Sequence, residues 1–247
     1  MTSPVASVVI AAAGLGVRYI EAGPVARANG QPRPSKILAL LAGRPVLAHV
    51  LDRFAAVEAV TEVVVAVPED RVAWAAETFG DALPGGRRLV FVAGGGDRTE
   101  SVARALGATD GGTELVVIHD AARPLIRPAV IEEALRVAIE HGAAVVGRPV
   151  DHTIKNVAGD RRVTQTVPRQ TLWMAQTPQV FRREVILQAY ARREDVVGAV
   201  TDDAQLVEAT GQAVMMVLGD ATNIKITTPE DLRACEALLA AGWPFER

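Results

Sequence analysis

Val5-Ala6-Ser7-Val8-Val9-Ile10-Ala11-Ala12-Ala13-Gly14-Leu15-Gly16-Val17-Arg18 is the stretch that decides the fold. An apolar run of strand length passes without a break into a turn of small residues. Continuous apolarity fits a strand covered by helices on both faces rather than one wetted on one side. Small residues at the carboxyl end of such a strand let backbone N–H groups approach a phosphate chain without side-chain collision. In open α/β sheets that end is also where ligands bind. The turn matches neither common phosphate loop. A dinucleotide fingerprint needs a third glycine where Tyr19 stands, and no Gly-Lys-Ser/Thr follows. Arg18 supplies positive charge to it.

Outward from this point the pattern repeats. Val63–Val67, Leu89–Val92, Leu115–Ile118 and Ala143–Val146 are further apolar runs of strand length. Between them Val46–Ala56, Arg71–Phe79, Glu100–Leu106 and Ala129–Glu140 are amphipathic, with Pro45 and Pro128 where a first helical turn tolerates proline. Alternating strands and helices predict βαβ units and a doubly wound, mainly parallel α/β sheet. The rhythm breaks after Pro149. Asp151 to Trp173 is polar, rich in Thr, Arg and Val, and turns at Ala158-Gly159-Asp160. That predicts a protruding β-hairpin arm over residues 150–173. Two strands alone are marginal, so the arm calls for a surface to pack on, and a homodimer is the expectation. The α/β rhythm resumes through Ala213–Leu218 and a last helix from Pro229 to Ala241. Residues 1–247 are expected to form one domain.

Bulk properties narrow the function. A net charge of −3 over 247 residues argues against a nucleic-acid binder. Val5 to Ala13 is too short to span a membrane, and no signal-peptide pattern stands at the N-terminus, so the cytoplasm is the expected compartment. One cysteine, Cys235, forms no intrachain disulfide and no thiolate metal cluster; on a helical pattern it reads as a small buried hydrophobe.

Three further clusters carry chemistry. Gly94-Gly95-Gly96-Asp97-Arg98-Thr99-Glu100-Ser101 is a second close-approach loop, in which Thr99 or Ser101 either caps the following helix or meets a ligand. His119-Asp120-Ala121-Ala122-Arg123-Pro124 ends an apolar run. Asp120 there either holds Mg²⁺ against phosphates or pairs with Arg123. Arg169 and Lys225 are candidate phosphate binders, and Asp202-Asp203 reads as a helix start. Glu21–Ser35 reads as a loop, and Lys36 beyond it as a second cation. His49, His119 and His141 read as structural or surface residues.

The Gly-x-Gly-x-Arg loop, His-Asp-Ala-Ala-Arg-Pro, Gln176-Thr177-Pro178-Gln179, Thr201-Asp202-Asp203-Ala204 and Asn223-Ile224-Lys225-Ile226-Thr227 occur in this order. In that combination the chain resembles the 2-C-methyl-D-erythritol 4-phosphate cytidylyltransferases, from Ala11 to Leu232. The resemblance implies a Rossmann-like nucleotidyltransferase fold, CTP and a sugar-alcohol phosphate as substrates, and a divalent cation such as Mg²⁺. It implies that Ala12, Ala13, Gly14, Gly16, Gly95, Gly96 and Ser101 line the CTP site. Asp120 would bind the metal, with Ala121 and Arg123 near the acceptor. Thr153, Arg169, Thr177 and Lys225 would hold the acceptor phosphate, the arm of one subunit completing its neighbour's site. Arg18, Lys36, Arg169 and Lys225 form the implied catalytic set. Three departures from the family pattern stand out: a longer Tyr19–Ser35 connection with Ser35 between Pro34 and Lys36, His152-Thr153 where the arm usually carries Asp-Thr, and Gln170-Thr171 after Arg169 where an acidic or small residue is more usual. Rival readings are a ribitol 5-phosphate cytidylyltransferase, a sugar-1-phosphate nucleotidyltransferase using UTP or GTP, and a CTP-binding protein without turnover.

Overall fold

A computed structural model of the chain describes residues 5–14 and 39–242. Gly16, Arg18 and Lys36 therefore lie outside the described residues, as does the Tyr19–Ser35 loop. The strands are β1 (Ala6–Ala11), β2 (Leu40–Leu41), β3 (Arg44–Pro45), β4 (Val60–Val67), β5 (Arg88–Ala93), β6 (Leu115–Asp120), β7 (Ala143–Pro149), β8 (Ile154–Val157), β9 (Val163–Val167), β10 (Trp173–Arg182) and β11 (Met215–Leu218). The helices are α1 (Val46–Ala55), α2 (Val72–Phe79), α3 (Arg98–Gly107), α4 (Pro128–His141), α5 (Arg183–Ala191), α6 (Asp203–Glu208) and α7 (Pro229–Ala240).

One seven-stranded sheet runs in the order β11-β7-β10-β6-β1-β4-β5. All its pairings are parallel except those of β10, which is antiparallel to both β6 and β7. The continuous apolar strands are explained by two cores. Val8 and Ile10 face one, with Leu47, Leu51 and Phe54 of α1 and Ile131 of α4; Val9 faces the other, with Val102 of α3 and Ile186 of α5. Alternate side chains of one strand thus enter opposite cores, and neither face tolerates a polar residue at these positions. Local signals agree at the helix ends. Pro128 occupies the first turn of α4 and Gly142 ends it at φ 92°, a left-handed position that glycine fills without strain.

The predicted doubly wound sheet and the hairpin are both present; β8 pairs with β9 in antiparallel register from Ile154↔Val167 to Val157↔Val163. One central strand has no counterpart among the apolar runs of the sequence. β10 carries Gln176-Thr177-Pro178-Gln179 and lies between β6 and β7. Its pairing with β7 runs Trp173↔Pro149 to Ala175↔Gly147, skips, and resumes at Gln179↔Val145. The skip takes Pro178 out of the ladder, which is how a proline fits inside a sheet.

The connectivity also places the site. From β1 the chain proceeds to β4 and β5 on one side, and only then to β6 on the other. Such a reversal opens a crevice at the carboxyl ends of the strands. The register sets Ala11 level with Ala66 and Asp120, so the small-residue turn and the aspartate open into the same space.

Candidate active site

A cavity of about 540 Å³ occupies that crevice, within the range of small-ligand clefts. Its wall comes from the β1 turn (Ala11, Ala12, Ala13, Gly14), the glycine loop (Gly94 to Arg98, with Ser101), Asp120 to Ala122, Lys225, and Pro68 and Glu69 after β4. The structure thus gathers the expected Ala12, Ala13, Gly14, Gly95, Gly96, Ser101, Asp120, Ala121 and Lys225 at one cleft.

The glycine loop is built for close approach. A Cβ on Gly94 would stand 2.2 Å from the Cβ of Ala13 and 2.9 Å from Ser101 Oγ, and one on Gly95 would meet Glu100 Cγ at 2.3 Å. The loop braces itself through α3. Gly95 N–H donates to Ser101 Oγ at 2.9 Å, Ser101 Oγ donates to the Asp97 carbonyl at 2.7 Å, and Gly96 N–H donates to Glu100 Oε2 at 2.7 Å. Those two amides are therefore engaged within the loop itself. Asp97, not Thr99 or Ser101, caps α3, accepting from Glu100 N–H at 2.7 Å.

Asp120 stands at the centre of the charge. Lys225 Nζ lies 2.7 Å from Oδ2, Arg98 Nε 3.2 Å from Oδ1, and Arg123 Nε 3.8 Å from Oδ2. Burial alone would raise its pKa, but Arg98, Lys225 and Arg123 outweigh burial and hold the carboxyl well below the usual carboxylate range. The expected pairing with Arg123 is part of a wider arrangement in which Arg123 is the most distant of three cations. Lys225 reaches Asp120 because its loop is pinned on both sides. Asn223 Nδ2 donates to Gln176 Oε1 and to the Thr177 carbonyl, and Ile226 N–H donates to the Ala122 carbonyl. Thr228 and Asp231 form a capping box at the start of α7 just beyond.

Four expected site residues are not on the cavity wall. Arg123 points into the protein, donating through Nη1 to the Asn223 carbonyl at 2.8 Å. Thr177 is buried; its Oγ1 accepts from Asp120 N–H at 3.0 Å and lies 3.1 Å from His119 Nδ1. Both stand beside Asp120 from the protein side: Thr177 through its hydroxyl, and Arg123 through Nε, 3.8 Å from Oδ2. Thr153 and Arg169 are exposed on and beside the hairpin, Arg169 donating to the Asp151 carbonyl.

Arg98, within the glycine loop, is a further charged group of the site that the sequence motifs do not single out. One signal could have found it. A cation in the first turn of a helix opposes the helix dipole, so its place there asks for an anionic neighbour.

His119 is fully buried, edge-on to Phe54 with ring centroids 5.1 Å apart. The Arg123 carbonyl facing Nε2 at 3.1 Å can only accept, so a neutral ring carries its proton on Nε2 and Nδ1 accepts from Thr177 Oγ1. The ring is neutral, and burial pushes its pKa down to about 4. Its folded pKa lies below the unfolded value of about 6.5, so the unfolded chain takes up the proton first as the medium is acidified. Unfolding free energy is expected to fall by roughly 3 kcal/mol on this account between pH 7 and pH 4. Denaturant titrations across that range check it: His119→Gln should flatten the slope, and an unchanged slope contradicts the assignment. Cys235 is likewise inert, buried in the packing of α7 with its thiol pushed up to about 12.

A crevice at the switch point of a doubly wound sheet is a ligand site, and the family whose model matches this chain makes it that of a nucleotidyltransferase. The family model for 2-C-methyl-D-erythritol 4-phosphate cytidylyltransferase matches residues 6–241. The chain belongs to this family. Among relatives bearing that name, one from Solibacter usitatus is 41% identical over 238 residues, covering 94% of this chain and 95% of its own. One from Rhodopirellula baltica is 40% identical over 244 residues, with 94% of each covered. Among solved structures, the cytidylyltransferase of Thermus thermophilus superposes with a TM-score of 0.73 at 35% identity, covering 96% of this chain and 99% of its own. A 4-diphosphocytidyl-2C-methyl-D-erythritol synthase from Anaerococcus prevotii does so with 0.79 at 27% identity, over 96% and 99%.

Proposed function

We propose that the cavity between β1 and β6 transfers CMP from CTP to 2-C-methyl-D-erythritol 4-phosphate by in-line displacement. An oxygen of the acceptor phosphate attacks the α-phosphorus, the bond from that phosphorus to the β-phosphate oxygen breaks, and pyrophosphate leaves. The acceptor oxygen is already anionic near neutral pH, so no protein nucleophile or general base is needed. What the protein supplies is alignment of two anions and stabilisation of the charge that builds between them. The observation that carries this reading is Asp120 beside Lys225 at the mouth of two small-residue loops, in a chain of this family. The family match favours methylerythritol phosphate over ribitol phosphate, and turnover over binding alone.

A divalent cation belongs to the proposal. Among the described residues no group of three His, Cys, Asp or Glu side chains could hold a metal. A single carboxylate at a cleft fits Mg²⁺, which takes most of its ligands from phosphates and water. Among the described residues the wall sets Arg98 and Lys225 against Glu69, Asp97 and Asp120, and a divalent ion would add positive charge toward a triphosphate. Asp120 would hold the ion, which would neutralise phosphate charge; Arg18 and Lys36 would act at the α-phosphate, and Lys225 at the acceptor phosphate. The setting is expected to be cytoplasmic. No helix among the described residues is long and apolar enough to cross a membrane.

We infer, too, that residues 150–173 act across a homodimer within a single 1–247 domain. Val157 and Val163, paired on the hairpin, are each more than half exposed, and Trp173 and Met174 at its root are exposed as well. Such apolar surface on a two-stranded ribbon asks for a partner. Thr153 and Arg169 would then meet the acceptor phosphate in the neighbour's cavity. Mixing two inactive variants tests this. Arg169→Ala and Lys225→Ala, unfolded and refolded together, should regain about one quarter of wild-type turnover. Half the dimers are then mixed, each with one intact site. No recovery, in a mixture shown to contain mixed dimers, overturns action in trans.

A further inference from the structure

The Arg98 guanidinium is gripped by two carboxylates from elements far apart in the chain. Its Nη2 donates to Asp203 Oδ2 at 2.7 Å and its Nε to Asp120 Oδ1 at 3.2 Å. Asp203, at the start of α6, is only 1% exposed and is itself held. Tyr190 Oη donates to its Oδ1 at 2.6 Å, and its own N–H donates to Gln179 Oε1 at 3.1 Å. A line of contacts thus runs from α5 through α6 and α3 to the carboxyl end of β6. Lys225, the other close partner of Asp120, has no second ion pair among the described residues.

Stability does not explain this line. Buried ion pairs lose in desolvation much of what they gain in attraction, and apolar replacements often serve as well. Helix propensity does not explain it either, since Arg98 opens α3 against its dipole. What the arrangement delivers is direction. A planar fork clamped by a fixed, buried aspartate holds one oxygen of Asp120 in place and leaves the other to Lys225.

We propose that Arg98 is a positioning residue for the transfer reaction, fixing the Asp120 carboxylate at the cavity wall, and that Asp203 and Tyr190 act through it. This rests on the reading that Asp120 works in the reaction. Arg98→Lys keeps the charge but cannot bridge two carboxylates as a planar fork does. In the full-length protein its kcat is expected to fall about 100-fold, the scale of a misplaced catalytic group. Tyr190→Phe removes one hydroxyl and no charge, and should lower kcat about tenfold. KM for CTP should stay within about threefold in both, because orientation and not ground-state affinity is lost. The decisive readout is the double variant: in an Arg98→Lys background, Tyr190→Phe should cause no further loss. A purely structural tie would lower the unfolding temperature, leave kcat unchanged, and act independently of Arg98. The proposal is overturned if Arg98→Lys turns over like wild type, or if the two losses multiply. Wild-type protein inert toward CTP and methylerythritol phosphate would overturn the functional reading together with this one; an active wild type with unaffected variants overturns this inference alone.

Discussion

Asp120→Asn is expected to lower kcat by about 10³-fold while the protein still folds. The substitution keeps shape and removes charge. Arg98, Lys225 and Arg123 would then converge on a neutral amide, whose NH₂ would oppose one of the cationic donors. The loss has two parts that act together. The anionic ligand for a divalent ion disappears, and the direction of Lys225 is no longer set. Removing a single preorganised electrostatic contact lowers rates by about 10²–10³-fold, and here one carboxylate organises several. Steady-state kinetics at saturating CTP, acceptor and Mg²⁺ measure it. A loss below about tenfold would mean that Asp120 is only an internal tie.

Gly94→Ala should act on the nucleotide instead. The new methyl group would stand 2.2 Å from the Cβ of Ala13, well inside contact distance. Neither neighbour can swing away: Ala13 has no rotamer to change, and Ser101 Oγ is committed to Gly95 and Asp97. The two small-residue loops must part, and they are the walls between which the triphosphate and base are proposed to lie. Overpacking of this kind costs about 1–3 kcal/mol. With the walls displaced by that strain, KM for CTP is expected to rise by about tenfold or more, with a smaller change in KM for the acceptor. CTP titration by calorimetry checks the same quantity without turnover. Unchanged affinity would show that the glycine loop is not part of the nucleotide wall.

These effects differ in how visibly the sequence announces them. The sheet was readable because Val8, Val9 and Ile10 have to satisfy two cores at once, and only an unbroken apolar run does so. The glycine loop and Asp120 were readable as candidates because they follow apolar runs, at the strand ends where an open α/β sheet binds ligands. β10 was hidden, since Gln176, Thr177 and Pro178 resemble a loop until the register skip with β7 is known. The inward turn of Arg123 and Thr177 was hidden for another reason. Whether an arginine or threonine faces a ligand or the interior depends on partners distant in the chain: Thr177 meets Asp120 across 57 residues, and Arg98 meets Asp203 across 105. The Thr-Asp-Asp-Ala stretch is the clearest instance. Asp202 does cap α6, accepting from Gln205 N–H at 3.0 Å, as a helix start should. Asp203, its neighbour, is committed to Arg98 and Tyr190, and no local pattern distinguishes those two uses of an aspartate.

Pyrophosphate release from CTP and Mg²⁺, with methylerythritol phosphate, ribitol 5-phosphate or no acceptor, tests the central claim most directly. Rapid release with methylerythritol phosphate alone, lost on adding EDTA, is the predicted result. Release that favours ribitol 5-phosphate, or CTP left intact with every acceptor, would contradict it.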